Sequence, residues 1–407
     1  MNNLLDITPY NFVIIGCGFV GSVIARKMAE RGKKCLIIER RPHIAGNMFD
    51  EVDENSILVQ RYGPHTFHTD SEEVWDCLKD FGDWRIRDHL DHVEFSSDPL
   101  SGRVYHNHPF QDAPIEPVVY PFNFSVIDTL YGDKARELKE TLLTHFPCRD
   151  RVTITELFNS HNKDIIAFAE LLFELDFRPY TSKQWGVDPE TLDISVINRV
   201  PILLNYGTEL VKVTYQRVPK EGFTKVFERM LYHPHIDMLL HTDALDHLRI
   251  DNAAATALWD GKPLPKGVTL VYTGAIDELL NYKLGKLPYR SLRFDWQTKY
   301  MESYQPGFLV AYPKAEGYTR IVEYKKLLSQ YAPGVTTIAI EYPLQAGEGQ
   351  EPYYPILTAD NKKLYEQYRK IVDAVPQMIA AGRLADYKYY DMDLAIERAL
   401  EVVKAMT

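Results

Sequence analysis

A strand, a glycine turn and a helix follow one another between Asn11 and Asn47, and few folds accommodate that order. Phe12-Val13-Ile14-Ile15 is a short apolar run of the kind that makes a strand buried on both faces. Gly16-Cys17-Gly18-Phe19-Val20-Gly21 is a G-x-G-x-x-G turn. Ser22–Arg31 then places Val23, Ile24, Met28 and Ala29 on one helical face, and a second apolar run, Cys35-Leu36-Ile37-Ile38, ends on Glu39. Each glycine has a physical task. Gly16 permits the tight turn, Gly18 lets backbone N–H groups approach a pyrophosphate, and Gly21 lets the helix sit close to the sheet. The helix N-terminus, opening at Phe19 and Val20, supplies partial positive charge, and Glu39 can accept both ribose hydroxyls. The segment predicts a dinucleotide site.

At 407 residues the chain is too long for one ordinary core, which predicts two or three domains. A net charge of −11 argues against nucleic-acid or anionic-membrane binding, so a phosphate ester would need a local arginine pocket. Cys17, Cys35, Cys77 and Cys148 form no CxxC pair, the pattern of reduced cytoplasmic thiols. Met1–Tyr10 is polar and no apolar run approaches the about 20 residues of a membrane span, so a cytoplasmic protein is expected. Tyrosine is abundant at 26 residues, and its flat face and polar tip suit ligand stacking.

Further along, Phe49–Gln60 alternates as strands around a turn, Arg61–Thr69 is expected to be a compact loop, and Ser71 caps a helix through Phe81. Asp88, His89, Asp91, His92, His106 and His108 precede a Pro-rich run from Pro109 to Pro121. Their spacing fits no standard ligand pattern, so no metal is expected and the segment reads as a solvated loop. Ser125–Ser160 and Ile165–Leu175 read as amphipathic helices, with Ile127, Leu130, Leu138, Leu142 and Leu143 as the apolar face. Ile236–Leu240 and Val268–Tyr272 are further strands of the dinucleotide sheet, the latter closing on Gly274. From Tyr289 through Tyr342 alternating strands predict an antiparallel sheet.

Several motifs carry a resemblance. Arg40-Arg41-Pro42-His43-Ile44-Ala45-Gly46-Asn47 resembles the E-x-R-x-x-I-G-G-N extension of FAD-binding Rossmann proteins, with Ala45 where glycine is common. An NADP site is the other reading of Arg40 and Arg41, but the acid at Glu39 repels a 2′-phosphate. Tyr62–Thr69 (YGPHTFHT), Tyr180–Gly186 (YTSKQWG), Asn198-Arg199-Val200-Pro201, Tyr289–Leu292 (YRSL), Glu351–Pro355 (EPYYP) and Gly382–Met392 (GRLADYKYYDM) occur in order. Together they resemble the bacterial UDP-galactopyranose mutase family over nearly the whole chain. The resemblance implies an α/β fold: an FAD-binding Rossmann-like domain with an inserted helical domain and an antiparallel β-sheet domain. The first takes residues 1–75, about 220–275 and 360–407. The helical domain takes about 76–90 and 124–200, and the sheet about 91–123, 201–219 and 276–358.

The same resemblance implies a flavin-dependent isomerase of nucleotide-linked sugars, with FAD active when reduced by NADPH or a flavin reductase, in a homodimer. In that chemistry flavin N5 attacks the anomeric carbon and expels the nucleoside diphosphate, and the sugar recloses as furanose. It places Arg199 and Arg290 on the diphosphate and His65 and Thr66 against the flavin. His68, Tyr180, Thr181, Trp185, Glu323, Tyr353, Tyr389 and Asp391 fall to the substrate, and Arg383, Asp391 and Met392 to the cofactor.

The departures cluster where a base should sit: Asp176 replaces an aromatic, Leu210 a tyrosine and Arg217 a glycine. A carboxylate pairs with the N1–H and N2–H₂ edge of guanine better than with uracil. The resemblance implies UDP-galactopyranose or a close relative as substrate, and the departures leave open a GDP- or dTDP-linked sugar such as a deoxyhexose, arabinose or heptose. Two rivals share residues 16–47: an FAD oxidoreductase of the amine-oxidase type, and a non-catalytic flavoprotein that senses nucleotide sugars.

Overall fold

Among the residues described by the computed structural model (4–87, 90–191, 194–209, 213–347 and 349–406), five parallel strands frame one end of the molecule. Their spatial order is Ile236–Leu239, Cys35–Ile38, Phe12–Ile15, Thr269–Tyr272 and Met378–Ala380. Val13 pairs with Leu36 on one side and Leu270 on the other, and all three are buried. A strand covered on both faces needs such an unbroken apolar run, each side chain contributing about 1.5–3 kcal/mol by burial. Helices Phe19–Glu30, Phe223–Leu231 and Met392–Ala405 cover one face and Ala359–Asp373 the other. Val23, Ile24, Met28 and Ala29 are the buried face of the first helix, as its periodicity predicts. Ile236–Leu239, Thr269–Tyr272 and Met378–Ala380 come from far down the chain, so the rest is inserted into this α/β frame.

The second sheet has seven strands among the described residues, ordered Val118–Tyr120, Asp91–Val93, Leu309–Ala311, Arg320–Glu323, Thr336–Gln345, Tyr289–Lys299 and Tyr354–Pro355. Most pairings are antiparallel, as the alternation suggests. Leu309–Ala311 and Asp91–Val93, however, run parallel, so the sheet is mixed. The segment around 88–121 is correspondingly no mere solvated loop. Val93, Phe95, Ile115 and Val118 are fully buried or nearly so, and they carry the chain into the sheet and against the helices. Asp88 and His89 lie outside the described residues. Likewise Phe67–Thr69, expected in a loop, is a strand paired with Tyr215–Pro219, because Phe67 buries itself against Trp75 and Trp84.

Phe124–Tyr131, Ala135–His145, Ile154–Phe158 and Lys163–Leu172 form the helical part. Asn123 and Asn162 cap two of them, and Thr153 with Glu156 closes a capping box on a third. Leu138 and Leu142 enter its core, but Leu143 is 46% exposed, since a helix that buries i and i+4 turns i+5 outward. Lys163–Leu172 passes through a π-helical turn, Phe173–Phe177, into Arg178–Trp185, which Gly186 ends in the left-handed region at φ 70°. Lys183 fixes this last helix to the mixed sheet. Its half-buried ammonium donates to the carbonyls of Tyr312, Ala315 and Tyr318 at 2.6–2.8 Å, and loss of solvent around it pulls its pKa down to about 8.

Candidate active site

A long crevice opens at the carboxyl ends of the parallel strands, where open α/β sheets bind their ligands. Gly16 holds φ 105°, and a Cβ there would stand 2.1 Å from Thr273 Oγ1. At Gly21 a Cβ would stand 2.1 Å from the Gly16 carbonyl oxygen, so this glycine permits the close helix–strand contact. Gly18 faces the crevice, with no protein atom within 4 Å of where its Cβ would be. Beyond the second strand, Ala45 takes φ 73° and Gly46 φ 55°. The alanine that departs from the glycine pattern thus adopts the left-handed conformation, at a cost of about 1 kcal/mol. Glu39 is buried and accepts from the amides of Cys17 (2.8 Å) and Arg41 (2.9 Å), which aims its carboxylate along the crevice. Arg40 pairs with Glu278 and Glu351. Asn47 and Gly274 line the same space, and at its far end stand Arg383, Asp391 and Met392, the last two at the N-terminus of helix Met392–Ala405.

The crevice continues into a second cleft through Arg383, Asp391 and Met392, which line both. His65 and Thr66 form its floor. His65 Nδ1 is buried without a hydrogen-bond partner, and burial, with Arg383 and Arg320 nearby, pulls its pKa down to about 3, so the ring is neutral. Trp185, Tyr354 and Tyr389 make an aromatic wall, the two tyrosines stacked at 5.6 Å. Arg199, exposed to the cleft, donates through Nη1 to the Tyr389 hydroxyl at 3.1 Å. The Arg383 guanidinium lies 5.3 Å from the Tyr389 ring. His68 Nε2 stands 3.9 Å from Asp391 Oδ2. The cleft deepens away from the crevice into a chamber of about 230 Å³ that adds Arg87, Asp91, Tyr120, Asp176 and Val200.

Four sequence expectations are corrected here, and a fifth falls outside. Glu323 does not reach the cleft; it is fully buried and accepts from the amides of Tyr304 and Gln305, each at 3.0 Å. Strand alternation turns Arg320 to the cleft instead, where Glu341, itself fully buried, holds it at 2.7 Å. Tyr353 lines the crevice, while its neighbour Tyr354 lines the cleft. Arg290 is buried and donates to the carbonyls of Gln184 (2.9 Å) and Lys183 (3.0 Å), so it positions the end of helix Arg178–Trp185. Thr181 is buried on that helix and lines neither space. Leu210 lies outside the described residues. Among those described, no three His, Cys, Asp or Glu side chains gather as metal ligands, and no helix is long and apolar enough to cross a membrane.

Asp176 stands apart electrostatically. It is 6% exposed, and burial pushes its carboxyl up to about 7, with Lys183 opposing. Between the ordinary value near 4 and about 7 the unfolded chain loses this proton before the folded one, so folding stability falls as pH rises through that window. Asp176→Asn in flavin-loaded, nucleotide-free protein should therefore melt higher than the parent at pH 8, by at most about 4 kcal/mol. At pH 5, about one unit above the unfolded value, the difference should shrink to about a third of that. An equal difference at both pH values would contradict the assignment.

The fold and the paired spaces set a crevice of the dinucleotide-binding type beside an arginine-lined cleft. Residues 14–81 match the model of an NAD(P)-binding Rossmann-like domain, and residues 176–389 match that of UDP-galactopyranose mutase. The UDP-galactopyranose mutase of Mycoplasma pneumoniae is 32% identical over 98% of this chain and 96% of its own. A dTDP-fucopyranose mutase of Escherichia coli is 29% identical over 96% of each. A crystal structure of reduced UDP-galactopyranose mutase superposes with a TM-score of 0.69 at 16% identity, covering 99% of this chain and 94% of that one. The chain belongs to the UDP-galactopyranose mutase family and is an enzyme, an isomerase. Putrescine oxidase shares the fold at a TM-score of 0.53 and 10% identity, which accounts for the oxidase reading of the glycine segment.

Proposed function

We propose that this enzyme interconverts the pyranose and furanose forms of a sugar carried on a nucleoside diphosphate, using reduced FAD. The observation that carries the reading is the junction at Arg383 and Asp391, where the dinucleotide crevice and the arginine-lined cleft share one wall. The residues present fit FAD. Gly18 leaves open space in the crevice that a side chain would fill, the left-handed Gly16 and Gly46 shape the turns beside it, and Glu39 suits the adenosine ribose. Bound and reduced, the flavin supplies the nucleophile toward the anomeric carbon.

The protein's own part is electrostatic. Breaking the bond between sugar and diphosphate builds negative charge on the departing oxygen, and a charge that must also return has to be held in place. Arg199, Arg320 and Arg383 provide that field within a chain of net charge −11, and the Tyr354 and Tyr389 hydroxyls offer donors beside them. Neutral His65 adds no competing cation at the floor. Trp185 and the stacked tyrosines shield the site from water. The names of its relatives, UDP-galactopyranose and dTDP-fucopyranose mutases, bracket the substrate class without fixing base or sugar.

The test labels UDP-, dTDP- and GDP-linked hexopyranoses with heavy oxygen between the anomeric carbon and the diphosphate. With anaerobically reduced enzyme, the label should scramble into the non-bridging positions of the β-phosphate in at least one of them. Retention of the label in all three would overturn the reading.

A further inference from the structure

Resting on the mutase reading, we infer that Asp176 selects the base of the nucleotide, and that the base presents two adjacent N–H donors on one edge, as guanine does. The chamber holding Asp176 shares Pro64, Thr66, His68, Tyr180, Arg199 and Arg320 with the cleft next to the flavin site, yet only Asp391 with the dinucleotide crevice itself. A sugar held against the flavin, with its diphosphate on the arginines, therefore sends its nucleoside into this chamber. The chamber suits a flat heterocycle, since Tyr120, Tyr180 and Phe308 line it.

Asp176 is the group in it that calls for a ligand. The residue is 6% exposed, it lines the chamber, and among the described residues it has no side-chain hydrogen bond or ion pair. It stands in the π-helical turn Phe173–Phe177, where Leu175 and Phe177 on either side enter the apolar core of the helices. The wider turn fixes the carboxyl between two anchored neighbours. Asp91 faces the same space, with Oδ2 on Arg87 at 2.6 Å and Oδ1 buried without a partner. A buried carboxylate without donors is costly, and a ligand edge that supplies two of them recovers that cost. Guanine offers N1–H and N2–H₂ side by side. Uracil and thymine offer one N–H between two carbonyl oxygens, which face a carboxylate unfavourably.

The test is competition binding of GDP, UDP and dTDP to the FAD-loaded enzyme at pH 8, with the parent protein and with Asp176→Asn and Asp176→Phe. In the parent, GDP should bind at least tenfold tighter than either pyrimidine nucleotide. Both variants, checked for bound flavin, should erase that ratio, with GDP weakened at least tenfold and UDP changed by less than about threefold. UDP or dTDP binding as tight as GDP in the parent would overturn the base assignment and leave the mutase reading standing. A ratio unmoved by Asp176→Asn would remove Asp176 from the selection. If none of the three nucleotides binds, both readings fall.

Discussion

Arg199→Ala should lower kcat/KM for the nucleotide sugar by about 10²–10³-fold while the purified protein stays yellow and melts within a few degrees of the parent. Arg199 is exposed to the cleft, and among the described residues its one side-chain hydrogen bond runs to the Tyr389 hydroxyl. Little of the fold rests on it, since an exposed polar contact contributes about 1 kcal/mol or less. What it offers is a planar fork of donors beside Trp185 and Tyr389, at the entrance where a diphosphate must be held as it leaves and returns. Arg199→Lys keeps the charge and loses the fork, so it should fall between the two. Steady-state kinetics on reduced enzyme would decide. Unchanged turnover would take Arg199 out of the charge-stabilising set, and loss of flavin would show that it acts on the crevice.

Gly21→Val should have the opposite signature: no bound flavin and little soluble protein. The added Cβ would stand 2.1 Å from the Gly16 carbonyl oxygen and 3.1 Å from Ile14 Cγ2. Neither neighbour can yield, because Gly16 belongs to the turn and Ile14 is fully buried in the central strand. The helix would have to leave the sheet, at about 3 kcal/mol or more, and its N-terminus would no longer face the pyrophosphate. The visible spectrum of the purified protein reads this directly. A variant that keeps full flavin absorption would contradict the close packing.

These two cases mark what was legible in the sequence. Residues 11–47 could be read because every step of strand, turn and helix leaves its own periodic or steric trace, and the structure places Gly16, Gly21, Glu39 and Gly46 along one crevice. The cleft was harder, since it is assembled from strands whose inward face sequence alone leaves ambiguous. In Arg320-Ile321-Val322-Glu323 both charged ends look available, yet alternation sends only one to the cleft. Register with Ala311 and Leu309, which line the chamber, makes it Arg320. Tyr353 and Tyr354 pose the same problem across one bond. Arg290 fails differently. It shares a strand register with Tyr354, but its guanidinium is drawn to the carbonyls ending helix Arg178–Trp185, a contact between elements 106 residues apart. The strands within 88–121 were hidden by prolines and histidines, while a few scattered apolar residues such as Val93 and Ile115 fixed their place.

The central claim is that reduced flavin and this cleft act together to isomerise a nucleotide sugar. Dithionite-reduced enzyme, kept anaerobic, would be mixed with a panel of UDP-, dTDP- and GDP-linked furanoses, and the products separated by chromatography beside an oxidised control. Conversion to the pyranose by the reduced enzyme, and none by the oxidised, is the predicted result. Full flavin occupancy with no conversion of any panel member, or equal conversion in both redox states, would contradict it.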